Sequence, residues 1–461
     1  MIKHRIFKER KVTILVLANN EKEDAIAAIE SIRNYETDLE LNVILVDNAS
    51  TDGLGEWAQG QEDISYAYME NGLEPWGSVL NQVIEGFELT GDVLIMQSRF
   101  ILLPGCLERM LDGFGCGENV AVVGPVTVWA EEYQQQTSEK VQTIEEAISY
   151  MTIHSNDRPE IVLGIESGVF LIRTELLKQA EIRFNDNIVS LYVLVKDLAI
   201  QLIFKNLKTV VRRDSLLYEK QVKFSENVRT LQYIEKDNSI LEGIWGTHYF
   251  NMTANPHILN EINSDGKKDV RVIEIGCDCG ATLLGIKNKI PDAKIYGCDI
   301  SELAVKIASR ITDGAFVSNI EEENIPVEPH SFDYVIFGDV LEHLHNPKRT
   351  LEYVKRILKP DGKVVASIPN LMNISVMKQL LKGDFTYTET GLLDKTHIHL
   401  FTFNEIIKIF TETGYSIEGV LPLKGDISDR ERKLIDGLLA LEPSAERHMY
   451  ETFQYIVIAR L

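Results

Sequence analysis

The sequence predicts two α/β domains in series, each built on a doubly wound sheet, and three observations lead to this prediction. With 461 residues, the chain is longer than a single hydrophobic core normally needs. Short apolar runs alternate with helical patterns along most of it, which is typical of parallel strands joined by crossover helices. The pattern restarts after a polar stretch at roughly 225–269, which contains chain-breaking Asn-Pro and Asp-Gly pairs. We therefore place the domains at 1–228 and 229–461, with 229–268 as a helical lead-in to the second.

Apolar periodicity predicts the individual elements. In the first domain the predicted strands are Val12–Ala18, Val43–Val46, Val93–Met96 and Val120–Val128, and the predicted helices are Glu23–Arg33, Trp76–Phe87 and Leu107–Gly113. In the second domain the predicted strands are Val270–Ile275, Lys294–Cys298, Tyr334–Phe337 and Lys363–Ile368.

Charge and cysteine content exclude several classes of function. The 47 basic and 70 acidic residues give a net charge of −23, which repels phosphate backbones, so we expect no nucleic-acid partner. The five cysteines are odd in number and fit no zinc-ribbon spacing, which indicates reduced thiols and a cytoplasmic protein. The apolar run after Lys11 is too short for a signal peptide, and no run reaches the ~18 residues of a membrane span.

The second domain contains the pattern of a nucleoside site. Glu274 ends a predicted strand, and Gly276 and Gly280 follow before a helix, where glycine lets the backbone approach a ligand closely. Glu274 can accept a hydrogen bond from a ligand ammonium or amide. Asp299 ends the next strand, where an acid suits a ribose diol. An ordinary dinucleotide-binding fold shows the same glycine turn, so these residues alone leave that alternative open.

Later segments narrow the choice. Asn319-Ile320-Glu321, the Asp-Val-Leu-Glu-His-Leu segment at 339–344, the Leu-Lys-Pro-Asp-Gly turn at 358–362 and the segment 391–402 follow in order. This order resembles the class I S-adenosylmethionine-dependent methyltransferases, in particular the ubiquinone-methylase type, over roughly 245–461. The resemblance implies a Rossmann-like fold and S-adenosylmethionine as cofactor. It assigns cofactor binding to Glu274, Gly276, Cys277, Gly280, Asp299, Ile300, Asn319, Ile320 and Asp339.

Within that set, Asn319 and Ile320 are expected to contact adenine through an amide and an apolar wall. The chain departs from the family pattern at Asp278, where many relatives have glycine, and at Asn319, where an acid is common. It also departs at His399, where relatives often have arginine.

Methyl transfer requires that the acceptor be aligned and deprotonated, and histidine is the usual proton acceptor near neutral pH. His343 is the first candidate for this base, and packing or capping of its helix is the alternative. His397 is the second candidate, with Asp394 as its orienting carboxylate. The His-x-His pairs at 343–345 and 397–399 have a spacing that is common by chance, so we expect no metal.

The first domain resembles the family-2 glycosyltransferases of the nucleotide-diphosphosugar (GT-A) fold over about 10–222. The resemblance rests on the strand Lys11–Asn20 and on the segment 43–53, which ends Asp-Asn-Ala-Ser-Thr-Asp-Gly. It implies that Asp47 contacts the nucleotide base and that Asp52 belongs to the same turn. A nucleotide diphosphosugar is therefore a second candidate ligand.

The positions that carry sugar transfer in that family differ here. The metal-binding acidic motif aligns with Gln97-Ser98-Arg99, and Arg99 would repel a cation but could bind a diphosphate directly. The catalytic acid pair aligns with Leu194 and Val195, and the closing histidine aligns with Glu219. We expect the domain to be inactive in sugar transfer, and transfer by a modified, metal-free route stays open.

Three functions remain. The preferred one is a cytoplasmic methyltransferase acting on a sugar or glycoconjugate, whose first domain recruits the acceptor or partner enzymes of glycan synthesis. The second is a bifunctional enzyme that adds a sugar and methylates it. The third is a non-catalytic scaffold.

Overall fold

The computed structural model describes residues 11–35, 37–70, 73–127, 141–155, 157–165, 168–219, 228–246 and 250–461. The chain divides into two compact units, Met1–Ala254 and Asn255–Leu461. Both units are α/β, as the sequence predicts. The division lies at 254/255, whereas the sequence places the boundary at 228/229.

The first unit alternates strands and helices. Its strands are β1 (Lys11–Ala18), β2 (Glu40–Asp47), β3 (Ser65–Tyr68), β4 (Asp92–Gln97), β5 (Phe100–Ile101), β6 (Val120–Val126), β7 (Glu160–Val162), β8 (Val169–Arg173), β9 (Lys208–Leu216) and β10 (Tyr218–Glu219). Its helices are α1 (Lys22–Arg33), α2 (Leu54–Ala58), α3 (Trp76–Gly86), α4 (Cys106–Gly113), α5 (Ile144–Ile153), α6 (Thr174–Gln179), α7 (Leu191–Phe204) and α8 (Val228–Trp245), with a 3₁₀ turn at Phe114–Cys116.

The main sheet of this unit has the order β3-β2-β1-β4-β8-β6-β9-β7. Strands β1 to β4 run parallel, and β8 is antiparallel to both of its neighbours, so the sheet is mixed. Strand β1 is buried from Val12 onward, which explains why its sequence is an uninterrupted apolar run. The predicted strand Val120–Val128 ends at Val126, and Val128 lies outside the described residues.

Helix α8 packs on the first unit through both polar and apolar side chains. Asp237 is fully buried, and its carboxylate accepts hydrogen bonds from the N–H groups of Val189 (3.2 Å) and Ser190 (2.6 Å), just before α7. Trp245 donates its indole N–H to Asp197 (2.7 Å) and stacks on Phe204. The sequence of α8 is polar enough to resemble a linker, and its burial depends on partners that lie 47 or 48 residues away.

Asp237→Ala is expected to destabilise the first unit by about 1–3 kcal/mol, because two N–H groups at the start of α7 would lose their acceptor. All four tryptophans lie between residues 57 and 245, so tryptophan fluorescence during urea unfolding reports on this unit. Glu235→Ala, an exposed acid on the same helix, is the control and should change little. Equal stability of the two variants would contradict this role of Asp237.

The second unit begins with a short helix and contains one sheet. Its strands are β11 (Arg271–Ile275), β12 (Lys294–Asp299), β13 (Gly314–Val317), β14 (Phe332–Gly338), β15 (Leu358–Pro369), β16 (Ser416–Lys424) and β17 (Thr452–Arg460). Its helices are α9 (Pro256–Glu261), α10 (Ala281–Lys289), α11 (Glu302–Ala308), α12 (Pro347–Val354), α13 (Ile374–Leu380), α14 (Phe403–Glu412), α15 (Asp429–Leu441) and α16 (Arg447–Glu451), with 3₁₀ turns at Ile320–Glu322 and Leu341–His343.

The strand order is β13-β12-β11-β14-β15-β17-β16, with β13 to β15 parallel and β17 antiparallel to both of its neighbours. Strands β12 and β13 lie on one side of β11, and the chain then crosses back so that β14 lies on the other side of β11. Ligands of open α/β sheets bind at such a switch point, outside the carboxyl ends of the strands. The loops after β11, β12 and β14 therefore meet at one edge.

All five cysteines are free thiols, in agreement with their odd number and spacing. Among the residues that the structure describes, every helix is too short or too polar to cross a bilayer.

Candidate functional site

The loop between β11 and α10 depends on two glycines. Gly276 and Gly280 have φ of +68° and +88°, a region that other residues rarely adopt. The N–H groups of Gly276 (2.8 Å) and Cys277 (3.1 Å) both donate to the carbonyl of Cys298 at the end of β12. A Cβ on Gly276 would lie 2.5 Å from Cγ2 of Val340, which follows β14. The loop is thus held closely between the ends of two strands.

Asp299 joins β12 to this loop. Its Oδ2 accepts the N–H of Asp278 (2.8 Å), and its Oδ1 accepts the N–H of Ser301 (2.8 Å). The side chain is only half-buried, so further lone pairs are available to a ligand. The acid that the sequence predicts beside the ribose therefore also fixes the glycine loop.

Glu274 is a buried acid whose Oε2 has no hydrogen-bond partner within residues 250–461. Burial raises the pKa of Glu274 well above its usual value, and the nearby carboxylates of Asp278 and Asp299 raise it further. A ligand ammonium at this position would supply the missing donor and offset the repulsion among the three acids. The residues present therefore fit the amino-acid end of S-adenosylmethionine.

The side chains that the sequence predicts beside adenine also take part in the local structure. Oδ1 of Asn319 accepts the N–H of Glu321 (3.1 Å) and caps the 3₁₀ turn that follows. Ile320 is buried, whereas Ile300 is 74% exposed and offers apolar surface to a ring. Cys277 is buried and its N–H is bonded to Cys298, so it supports the loop.

Asp339 follows β14 with a φ of +55°. Its N–H donates to Oγ of Ser367 (2.9 Å), and its Oδ1 accepts from the amide of Gln454. The side chain is open to solvent, yet desolvation by the surrounding protein raises the pKa of Asp339 to about 6.

The two histidines predicted as bases lie together, with ring centroids 4.8 Å apart. Nδ1 of His343 is 3.1 Å from the carbonyl of Thr396, and Nδ1 of His397 is 3.3 Å from the carbonyl of Leu392. Desolvation lowers the pKa of His397, and the neighbouring His343 lowers it further. Asp394 accepts the hydroxyl of Thr396 (2.6 Å), and this hydroxyl oxygen lies 3.2 Å from Nδ1 of His343. Asp394 therefore reaches His343 through Thr396, and its carboxylate also interacts electrostatically with His397, the residue that the sequence predicts it to orient.

Glu342 is a site residue that the sequence analysis did not assign. It is fully buried, and one ligand atom each from Glu342, His343 and His397 lies within 4.8 Å of the others. Within 250–461 neither carboxylate oxygen of Glu342 has a hydrogen-bond partner. Burial raises the pKa of Glu342 well above its usual value, with a further contribution from Asp339.

Glu342 could have been predicted from the sequence, because it is an acid directly beside His343 in the 339–344 segment. The expectation of no metal considered His343 with His345 and His397 with His399. In the structure one histidine of each pair joins the cluster, and His345 and His399 lie outside it.

In the first unit, the two acids of the glycosyltransferase-like segment support their own turn. Asp47 is fully buried, and its carboxylate accepts the N–H of Ser50 and the hydroxyl of Tyr66, each at 2.7 Å. The carboxylate of Asp52 accepts the N–H groups of Lys22 (2.8 Å) and Leu54 (3.1 Å). These contacts explain the acids structurally, and contact with a nucleotide stays a prediction.

Two of the altered sugar-transfer positions pair with each other. Nε of Arg99 lies 2.6 Å from Oε1 of Glu219, across the antiparallel strands β5 and β10. Glu219 is buried, and burial raises its pKa although Arg99 opposes the shift. Leu194 and Val195 are buried in α7 and provide no proton acceptor. A positive charge thus stands where the family pattern has a metal, and it is balanced by Glu219.

Arg99→Ala is expected to cost the first unit about 2–4 kcal/mol, because it leaves Glu219 buried and unpaired; the partial exposure of Arg99 places this toward the low end. The double variant Arg99→Met/Glu219→Leu should recover most of the loss. Tryptophan fluorescence during urea unfolding measures both. Arg183→Ala, which breaks an exposed pair with Glu85, is the control. If Arg99→Ala lowered the free energy of unfolding no more than this control does, the ion pair of Arg99 with Glu219 would not stabilise the first unit.

Comparison with known proteins finds a matching family for each unit. Residues 247–420 match the family described as a methyltransferase domain, and residues 13–180 match glycosyl transferase family 2. The ubiquinone biosynthesis O-methyltransferase of Idiomarina loihiensis is 31% identical over 196 residues, which cover 40% of this chain and 78% of that protein.

Two uncharacterized proteins are also similar. One, from Methanocaldococcus jannaschii, is 31% identical over 163 residues, which cover 35% of this chain and 60% of that protein. The other, a 37.1 kDa transposon protein of Streptomyces fradiae, is 24% identical over 187 residues, which cover 40% of this chain and 53% of that protein. The chain thus spans little more than half the length of these two relatives.

The methyltransferase match falls on the unit that contains the glycine loop, Glu274 and Asp299, and the match to the Idiomarina protein extends over most of that protein. The glycosyl transferase family 2 match falls on the first unit. The chain therefore belongs to the S-adenosylmethionine-dependent methyltransferases, and the segment ahead of its methyltransferase domain, residues 13–180, matches glycosyl transferase family 2.

Proposed function

We propose that this protein transfers a methyl group from S-adenosylmethionine to a sugar or glycoconjugate. The observation that carries the proposal is the meeting of Glu274, the glycine loop and Asp299 at the switch point of the second sheet. The first unit has the fold of a sugar-handling family, which supports a carbohydrate acceptor by association. Bound in this cleft, the cofactor supplies a methyl group already activated on a sulfonium.

Different residues of the cleft bind different parts of that cofactor. Glu274 and the loop from Gly276 to Gly280 hold the amino-acid end, and Asp299 accepts hydrogen bonds from the ribose hydroxyls. Ile300 packs on the base, and Asn319 hydrogen-bonds its edge. Asp339 lies where the cofactor side of the cleft meets the acceptor side.

His343 and His397 act on the acceptor side. Thr396 holds a proton on Nδ1 of His343, so in the neutral imidazole Nε2 has the lone pair. The carbonyl of Leu392 places His397 in the same state. Each histidine therefore offers one nitrogen to an acceptor proton or to a cation.

The first unit recruits the acceptor and does not itself transfer sugar. The buried apolar side chains of Leu194 and Val195 and the ion pair of Arg99 with Glu219 support this part of the proposal. The five free thiols are consistent with a cytoplasmic protein that works beside enzymes of glycan synthesis.

The test incubates the full chain with S-adenosylmethionine carrying a labelled methyl group and a panel of glycans and nucleotide sugars. We expect label in a carbohydrate product, and loss of this label in Asp299→Ala. Labelled product without carbohydrate would overturn the acceptor assignment, and calorimetry showing no cofactor binding would favour a scaffold. Release of nucleotide diphosphate from a sugar donor would show that the first unit is an active glycosyltransferase.

A further inference from the structure

We propose that Glu342, His343 and His397 bind a divalent metal ion, and that this ion holds a hydroxyl group of the acceptor. The first part rests on the structure alone, and the second rests on the proposed function. One ligand atom from each of the three side chains lies within 4.8 Å of the other two. Two imidazoles and one carboxylate are a ligand set that zinc and manganese accept in proteins.

The hydrogen bonds around His343 determine which nitrogen is available to a metal. The hydroxyl of Thr396 donates its proton to Asp394, so its oxygen can only accept from Nδ1 of His343. The carbonyl of Thr396 also accepts from this Nδ1. In the neutral imidazole the proton therefore sits on Nδ1, and Nε2 has a lone pair for a metal.

His397 has the same arrangement by a different route. Its Nδ1 faces the carbonyl of Leu392 at 3.3 Å, and a carbonyl can only accept. Metal-binding histidines commonly donate their other ring N–H to a carbonyl or carboxylate, because this fixes the ring and raises its basicity. Both histidines of the cluster have such a partner, although they lie on separate segments.

Glu342 supplies the observation that points to a cation. It is fully buried, it lies beside both histidines, and within 250–461 its Oε1 and Oε2 lack any hydrogen-bond partner. Buried carboxyl groups are normally paired, hydrogen-bonded or bound to a metal. A bound cation would satisfy this carboxylate and the two ring nitrogens together.

The backbone, rather than flexible side chains, brings the ligands together. The carbonyl of Glu342 accepts the N–H groups of Ile398 and His399, each at 2.9 Å. These bonds hold the segment after His397 against the 3₁₀ turn that carries Glu342 and His343. The cluster is thus prepared before any ion binds.

The cluster adjoins the cofactor cleft. Val340, two residues before Glu342, lies against Gly276 of the glycine loop. The carboxylate of Asp339 adds to the effect of burial in raising the pKa of Glu342. Three protein ligands leave a coordination position open. A hydroxyl oxygen bound there loses its proton more readily, and the proton passes to solvent water. The site therefore predicts oxygen, rather than carbon, as the methylated atom.

The test measures metal binding by the full chain, without acceptor or cofactor. The protein is stripped with a chelator and dialysed against Zn²⁺ or, separately, Mn²⁺; bound metal is counted by mass spectrometry and affinity is measured by calorimetry. We expect one equivalent in the wild type. His343→Ala, His397→Ala and Glu342→Gln should each weaken metal binding by about 100-fold or more. Removing a residue that only hydrogen-bonds to a metal ligand already costs about 10–100-fold, and these three residues are the ligands themselves.

His345→Ala and His399→Ala are the matched controls, because they remove the other histidine of each sequence pair and lie outside the cluster. Both should keep the metal. Calorimetry with S-adenosylhomocysteine checks that each variant is folded, and if Glu342→Gln fails this check, the two half-exposed histidines decide the outcome. A wild type without bound metal, or equal binding by His343→Ala and His345→Ala, overturns the site.

The two proposals can fail separately. Metal binding without any labelled glycan would leave the metal site standing and overturn the carbohydrate acceptor. Full methylation of a glycan by the stripped protein would overturn the role of the metal and leave the proposed function standing.

Discussion

Gly276→Ala is expected to weaken the binding of S-adenosylhomocysteine by about 100-fold. The new residue would keep a φ of +68°, which costs about 1–2 kcal/mol, and its Cβ would meet Cγ2 of Val340 at 2.5 Å. Because the N–H of Gly276 is bonded to Cys298, the strain is relieved only by moving the loop that forms the cleft. A cost near 3 kcal/mol corresponds to about two orders of magnitude in affinity. Isothermal calorimetry measures the change.

Gly266→Ala is the matched control for this prediction. Its φ is +78°, so the backbone strain is similar, but a Cβ there would meet nothing within 4 Å. It should cost some stability and leave the affinity unchanged. Adding Val340→Ala to Gly276→Ala should restore part of the affinity by removing the clash. Equal affinity of Gly276→Ala and the wild type would show that the glycine loop does not form the cofactor cleft.

Gly77→Ala is expected to destabilise the first unit by about 3 kcal/mol or more. Gly77 lies in the first turn of α3, and a Cβ there would fall 1.8 Å from the carbonyl oxygen of Asn185. That neighbour is backbone, so no side-chain rotation relieves the overlap, and the segment before α7 must move. Urea unfolding followed by tryptophan fluorescence reports the loss for this unit.

Gly86→Ala, in the last turn of the same helix, is the control. A Cβ there meets nothing within 4 Å, so the change should stabilise the unit by about 0.5–1 kcal/mol through helix propensity. The two substitutions are chemically identical and differ only in what surrounds the added methyl group. Similar unfolding midpoints for both variants would contradict the packing of α3 on the loop at 185.

Much of the fold follows from local patterns. The predicted strands Val12–Ala18 and Lys294–Cys298 match β1 and β12 to within one residue. For β1 the reason is that a buried parallel strand is a nearly continuous apolar run. The glycine loop and Asp299 were also predictable, since backbone conformation and strand ends place them. Such features depend on short stretches of chain.

The position of helix α8 in the first unit could not be predicted from local sequence patterns. Its sequence mixes polar and apolar residues, and the sequence analysis interprets it as the joint between the two domains. Asp237 and Trp245 nevertheless hold it to the first unit through partners almost fifty residues away. No local pattern encodes a hydrogen bond over that distance.

The sequence by itself determined that this protein has two α/β domains, one resembling the methyltransferases and one resembling the family-2 glycosyltransferases. It also placed the glycine loop after β11, because glycines and acids at strand ends act through their local backbone positions. Only the tertiary structure decided that His343 and His397 share one cluster with Glu342, and that Arg99 pairs with Glu219. The physical reason is that these groups are brought together by strand order and by backbone hydrogen bonds between distant segments, as at Glu342 and Ile398.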